Sequence, residues 1–150
     1  MTLTERIEKD YISAYKAKDA LRLGVLRLLK TAAKNLQVEL RRPVEDGELL
    51  DLVMKQAKQR MDSIEQFRSA GREDLASKEE AELGVIREYM PQPLSAEELA
   101  TAIDAAVVAS GATSMQDMGK VMASIMADYK GRVDGKALSA AVRARLQQAG

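Results

Sequence analysis

The sequence predicts an all-α protein, and three observations carry that prediction. Its 23 Ala and 17 Leu far outnumber its 10 Val and 6 Ile. Aromatic residues make up only 3% of the chain, too few for the core of an ordinary sheet. Apolar residues recur at spacings of three and four along most of its length. With 150 residues there is room for one domain or two small ones. A chain of this size buries roughly two-thirds of its unfolded surface, so no crosslink is needed to hold it folded.

Taken in order, Thr2-Leu3-Thr4-Glu5 forms a capping box that opens a first helix, with Leu3, Ile7, Tyr11, Ala14 and Tyr15 on one face and an end near Lys18. Asp19 caps a second helix. Its stripe of Leu21, Val25, Leu28, Leu29, Ala32, Leu36 and Leu40, widened by Leu23 and Leu26, runs until Pro43 forbids continuation. A helix apolar over so much of its circumference is expected to be central, with neighbours on two sides. A third, from about Asp46 to Ala70, uses Leu50, Val53, Met54, Ala57, Met61, Ile64 and Phe67, stops at Gly71 and is expected to form an antiparallel hairpin with the second. A fourth, from about Glu73 to Met90, carries Leu75, Leu83, Ile86, Tyr89 and Met90; its polar stretch Ser77 to Glu82 is expected to project into solvent.

The run Met90-Pro91-Gln92-Pro93-Leu94-Ser95 then biases the backbone toward extended conformations and is the best linker in the chain. The expected organisation is therefore an N-terminal helical module over 1–90, a linker over 91–94 and a C-terminal three-helix module over 95–150. Ser95 and Glu98 make a second capping box, for a helix with Leu99, Ile103, Ala106 and Val107 that ends at Gly111. Ser114 or Asp117 starts the next, with Met118, Val121, Met122, Ile125 and Tyr129, ended by Gly131. Asp134 caps the last, whose buried face is Leu138, Ala141, Val142 and Leu146.

Composition also excludes chemistry. The chain has no His and no Cys, which removes the usual zinc and transition-metal ligands, thiol nucleophiles, His general bases and the Ser-His-Asp arrangement. No 18-residue stretch is free of charge, so no spanning helix is expected. Met1 to Lys18 has no uninterrupted apolar core of the secretory type, which leaves the cytoplasm as the default location.

Lysine plus arginine and aspartate plus glutamate number 23 each, but the zero net charge hides segregation. Residues 1–44 carry ten basic and five acidic side chains, 45–99 seven and fourteen, and 119–150 six and two. The C-terminal cluster of Lys120, Lys130, Arg132, Lys136, Arg143 and Arg145 is the candidate RNA-binding set, because phosphate contacts call for cations grouped in this way. A helix start at Gly135 offers N–H groups to the same phosphates, in competition with Asp134. Lys130-Gly131-Arg132-Val133-Asp134-Gly135-Lys136 departs from a nucleotide-binding loop: its glycine spacing is one short, Ala137 replaces the metal-binding hydroxyl and no strand precedes it. Glu79, Glu80 and Glu82 are expected to solvate an exposed helix rather than hold Mg²⁺, and Met115, Met118, Met122 and Met126 to serve as ordinary helix core. With one Phe and four Tyr, stacking platforms for bases are scarce, so RNA recognition would go by backbone and shape.

Two stretches, Glu82-Leu83-Gly84-Val85-Ile86-Arg87-Glu88-Tyr89-Met90-Pro91-Gln92-Pro93-Leu94-Ser95-Ala96-Glu97-Glu98-Leu99 and Met118-Gly119-Lys120-Val121-Met122 followed by Lys130 to Lys136, resemble the YqeY-like family over nearly the whole chain. That family is similar to the tail of the B subunit of glutamine-dependent aspartyl/glutamyl-tRNA amidotransferase. The resemblance implies two helical modules joined by the proline linker. It also implies a tail that helps engage tRNA, with Lys120, Lys130, Arg132 and Lys136 as contacts by position; Arg143 and Arg145 join them by charge. The implied role is a non-catalytic accessory protein for tRNA or other structured RNA, working with a tRNA synthetase or amidotransferase component and requiring no cofactor, metal or membrane. A protein–protein adaptor without RNA is the alternative. A carbon–nitrogen ligase with glutamine as amido donor follows only from the multidomain relative, whose catalytic regions have no counterpart in these residues.

Overall fold

The structure, a computed structural model, describes residues 1–149. Those residues form seven α-helices, a single 3-10 turn and no strand. They divide into two compact units, one covering Met1–Met90 and the other beginning at Pro91.

In the first unit, α1 (Leu3–Ala17) starts as its capping box requires. The Glu5 N–H donates to Thr2 Oγ1 at 3.1 Å and the Thr2 N–H to Glu5 Oε2 at 2.9 Å. The next free N–H, that of Leu3, is satisfied from another helix by the Asp46 carboxylate at 3.2 Å. Helix α1 ends on Lys18 in the left-handed region, and Asp19 caps α2 (Ala20–Leu40) by accepting from the Arg22 N–H. Helices α3 (Asp46–Ser69) and α4 (Glu73–Arg87) follow, joined through Gly71 at φ +73°. The core is Ile7, Val25, Leu26, Leu29, Leu49, Val53, Ile64, Leu83, Ile86 and Tyr89 with smaller neighbours.

The helix pairing and the buried stripe of α3 are corrected here. The dominant hairpin is α3 with α4, not α2 with α3. Along it Ser77, Lys78, Glu80 and Ala81 are exposed as expected, but Ala76 just before them is fully buried and the half-buried Glu82 reaches Arg60 at 3.3 Å, while Arg68 reaches Glu80 at 2.6 Å and Glu73 at 3.2 Å. A small residue and crossing ion pairs can close a helix interface where large apolar side chains are missing, and hydropathy does not register either device. The buried stripe of α3 is Leu49, Val53, Ala57, Arg60 and Ile64, so Met61 lies outside and an arginine inside. Helix α2 packs against α1, α3 and α4, as its wide stripe requires, although Leu21 and Leu28 of that stripe are exposed, as is Tyr15 on α1.

A polar cluster ties the end of α4 to α1 and α2. The buried Tyr89 hydroxyl donates to Asp10 at 2.6 Å, Arg6 lies 4.7 Å from the Tyr89 ring centre, and Arg22 meets Glu88 at 2.6 Å. Burial first, and then the Asp10 carboxylate, push the Tyr89 phenol well above its ordinary range.

The second unit holds α5 (Ala96–Ser110), α6 (Met118–Asp128) and α7 (Gly135–Ala149). Ser95 and Glu98 cap α5 reciprocally, and Gly111 ends it at φ +69°. Ser114 and Asp117 both act at the next start: Ser114 precedes the 3-10 turn Met115–Asp117, which leads directly into α6. Ile103, Val107, Val121, Ile125, Leu138, Val142 and Leu146 make the core. Met118 and Met122 pack on it, whereas Met115 and Met126 are exposed, so the methionine run is split between core and surface.

The caps predict the acid behaviour. The Arg42 guanidinium, followed by the Glu45 N–H, holds the Glu48 carboxyl at about 2, below its ordinary 4.5. Glu73 is lowered by Arg68, Glu98 by the Ser95 backbone, and Asp117 by the Thr113 and Ser114 N–H groups. In each case the unfolded chain takes up a proton at a higher pH than the folded one does. This stability is therefore fully present above the ordinary carboxylate range and drains away as pH falls toward about 2. Thermal melts followed by circular dichroism are expected to show a steady fall in Tm across that window, and Glu48→Gln to flatten it. A Tm that stays level from about pH 5 to about pH 2 would contradict the assignment.

Candidate functional site

The six candidate cations lie in the second unit but do not share one situation. Arg132, in the turn between α6 and α7, is half-buried and engaged. Its Nε donates to the Gln92 carbonyl at 2.9 Å, a terminal nitrogen stands 3.9 Å from Glu98, and the guanidinium lies 5.9 Å from the Tyr129 ring centre. Its own carbonyl accepts from the Leu94 N–H at 2.8 Å. The proline segment and the α6–α7 turn, which hold the two sequence stretches of the family resemblance, are thus stitched together, and Arg132 is the stitch. Arg145 is likewise occupied, donating to Asp104 at 2.7 Å and so pinning α7 to α5.

Lys120 on α6 and Lys136 and Arg143 on α7 are exposed. Lys136 and Arg143 are seven residues apart, which places them on one face of α7 with an axial rise of about 10 Å between them. Lys130 is exposed in the turn after α6, beside Gly131 at φ +78°. The start of α7 is less available to an anion than its position suggests, because the Asp134 carboxylate accepts the Ala137 N–H at 3.3 Å. The turn between α6 and α7 is closed by the Arg132 N–H on the Tyr129 carbonyl.

What this surface can do is limited and specific. Exposed cations on a helix face suit a phosphate backbone approached along the helix. That Arg132 and Arg145 are engaged in this way could not be read from the sequence, because their partners lie 40 and 41 residues away. Among the described residues, no group of three or more Asp and Glu is placed to hold a metal ion, and no helix is long and apolar enough to cross a membrane. Glu80 stays exposed while pairing with Arg68, and the half-buried Glu82 pairs with Arg60.

Comparison with known proteins gives one family match, to the Yqey-like protein family over residues 4–146. Among curated proteins the chain is similar to "Altered inheritance of mitochondria protein 41, mitochondrial" of Pyrenophora tritici-repentis, at 30% identity over 136 residues, covering 89% of this chain and 75% of that one. The protein of the same name from Saccharomyces cerevisiae is 34% identical over 93 residues, 61% of this chain, and that from Lachancea thermotolerans 37% over the same length. The match spans half the length of each of these two yeast proteins. Their mitochondrial name overturns the cytoplasmic default drawn above. The physical reason is plain: lack of an apolar signal core argues only against secretion, whereas mitochondrial addresses are amphipathic and basic.

Proposed function

The chain belongs to the Yqey-like protein family, and on that premise we propose that it is a non-catalytic accessory protein that engages tRNA or another structured RNA through its C-terminal unit. The observation that carries the reading is the exposed cationic face of α7, Lys136 and Arg143, together with exposed Lys120 on α6. Arg132 and Arg145 serve this surface indirectly, by holding the helices that present it. An accessory rather than catalytic role is supported by a sequence without His or Cys and by carboxylates committed to caps and ion pairs.

The test is a titration with bulk tRNA at about 50 mM and about 200 mM salt, the range over which phosphate-mediated affinity falls steeply. Wild-type binding is expected to weaken with salt. The triple variant Lys120→Gln, Lys136→Gln, Arg143→Gln is expected to bind more weakly, with the log–log salt slope shallower by about 0.7–0.9 for each phosphate that is no longer neutralised. Unchanged affinity and slope in that variant would refute this surface as the RNA-binding face. Because these three side chains are exposed and Arg132 and Arg145 stay intact, a loss of affinity is not a loss of fold.

A further inference from the structure

A groove of about 530 Å³ runs along the outside of the first unit between α1 and the second half of α2. Its floor is aliphatic, from Ile7, Leu29 and Leu49, and its walls expose Tyr11, Ala33 and Val38, the last of these 70% accessible. Along one rim stand Arg27, Lys30 and Lys34, at relative positions i, i+3 and i+7, so all three point to the same side of α2. Glu8 is the one carboxylate among the lining residues. It is already spent on Lys30 at 3.0 Å, and Lys30 also lies 3.9 Å from the Tyr11 ring centre.

We propose that this groove is a docking site for an amphipathic helix of a partner protein, one whose apolar stripe is flanked by acidic residues. The open length, from Arg27 to Val38, is three turns of helix or about 17 Å, and a partner helix of about the same length would lie along it. Its apolar stripe would cover Tyr11, Ala33 and Val38. Its carboxylates at i, i+3 or i+4, and i+7 would meet Arg27, Lys30 and Lys34, which outnumber the single groove carboxylate. A nucleic-acid backbone fits less well, because it would leave the apolar walls at Ala33 and Val38 wet and finds one aromatic ring, already covered by Lys30. This site is separate from the RNA-binding face proposed for α7, and either proposal can fail without the other.

The experiment uses the full chain and a labelled synthetic peptide of about 15 residues, near the length at which isolated helices become stable, with leucines at helical spacing flanked by glutamates. Two probes serve as competitors and controls: the same peptide with lysines in place of the glutamates, and a single-stranded oligonucleotide of equal negative charge. Saturable binding of the acidic peptide is expected, with NMR shift changes at Ile7, Tyr11, Ala33 and Val38. The double variant Arg27→Glu, Lys34→Glu is expected to lose about tenfold or more in affinity and to gain binding of the lysine peptide, as charge complementarity requires. Both residues are exposed, and an unchanged circular dichroism spectrum checks that the variant is folded. The proposal is overturned by no saturable binding, by equal binding of both peptides, by shift changes confined to other surfaces, or by the oligonucleotide displacing the acidic peptide.

Discussion

Leu138→Ala is expected to unfold the C-terminal unit. Leu138 is fully buried on α7, in a cluster with Ile103, Val121, Ile125, Val142 and Leu146 drawn from all three helices of that unit. Truncating such a leucine costs about 2–5 kcal/mol, from lost transfer free energy and from the cavity left behind. A unit of about 60 residues has only about 3–9 kcal/mol to lose. Amide hydrogen exchange is the measurement of choice, since it reads each helix separately. Protection should collapse across α5, α6 and α7 while α1 to α4, whose core is a different cluster, keep theirs. Leu138→Met, which conserves volume, should cost less than about 1.5 kcal/mol. If the alanine variant retained wild-type protection in α5 to α7, that core would not be what holds the unit together.

The second large effect is asymmetric. Arg60 on α3 is only 7% exposed, and its guanidinium is satisfied by Gln56, at 2.7 Å to the side-chain oxygen, and by Glu82 at 3.3 Å. Glu82→Ala leaves that buried cation without a counter-charge, and breaking a buried pair in this way costs about 3–5 kcal/mol. The lower end is expected because the Glu82 side chain keeps 22% of its exposure. Removing both charges is a different experiment. In the double variant Arg60→Met, Glu82→Leu no desolvated charge remains, and apolar replacement of a buried pair is commonly neutral or stabilising. Denaturant titration should therefore show a midpoint well below wild type for Glu82→Ala and close to wild type for the double variant. A double variant as unstable as the single one would mean that the pair supplies α3–α4 packing that apolar side chains cannot replace.

Charge reading and hydropathy reading failed at related places. Lys136 and Arg132 are four residues apart and look alike in the sequence, yet one is exposed and the other is bound to Gln92 and Glu98. The candidate RNA surface was therefore legible as a segment, not as a set of available side chains. In α3 the neighbours Leu49 and Leu50 are both leucine; the helix buries Leu49 fully and Leu50 only partly, and that small rotation is what brings Arg60 inward and turns Met61 out. The docking groove proposed on α1 and α2 left no mark in either pattern, because it exists only once two helices lie side by side.

What the sequence by itself determined is where helices begin and end. The hydrogen bonds of Thr2 with Glu5, Asp19 with Arg22, Ser95 with Glu98 and Asp134 with Ala137 all close within three residues, and the left-handed stop at Gly111 needs nothing from elsewhere in the chain. It also determined the core of the C-terminal unit, where each short helix has a single apolar stripe and so a single side to bury. The tertiary structure alone decided which helices pair and what each charge does. Arg22 meets Glu88 across 66 residues and Tyr89 meets Asp10 across 79. Contacts of that separation have no local period, and the energy of a charge depends on what stands beside it and how much water remains, which only the packed chain settles.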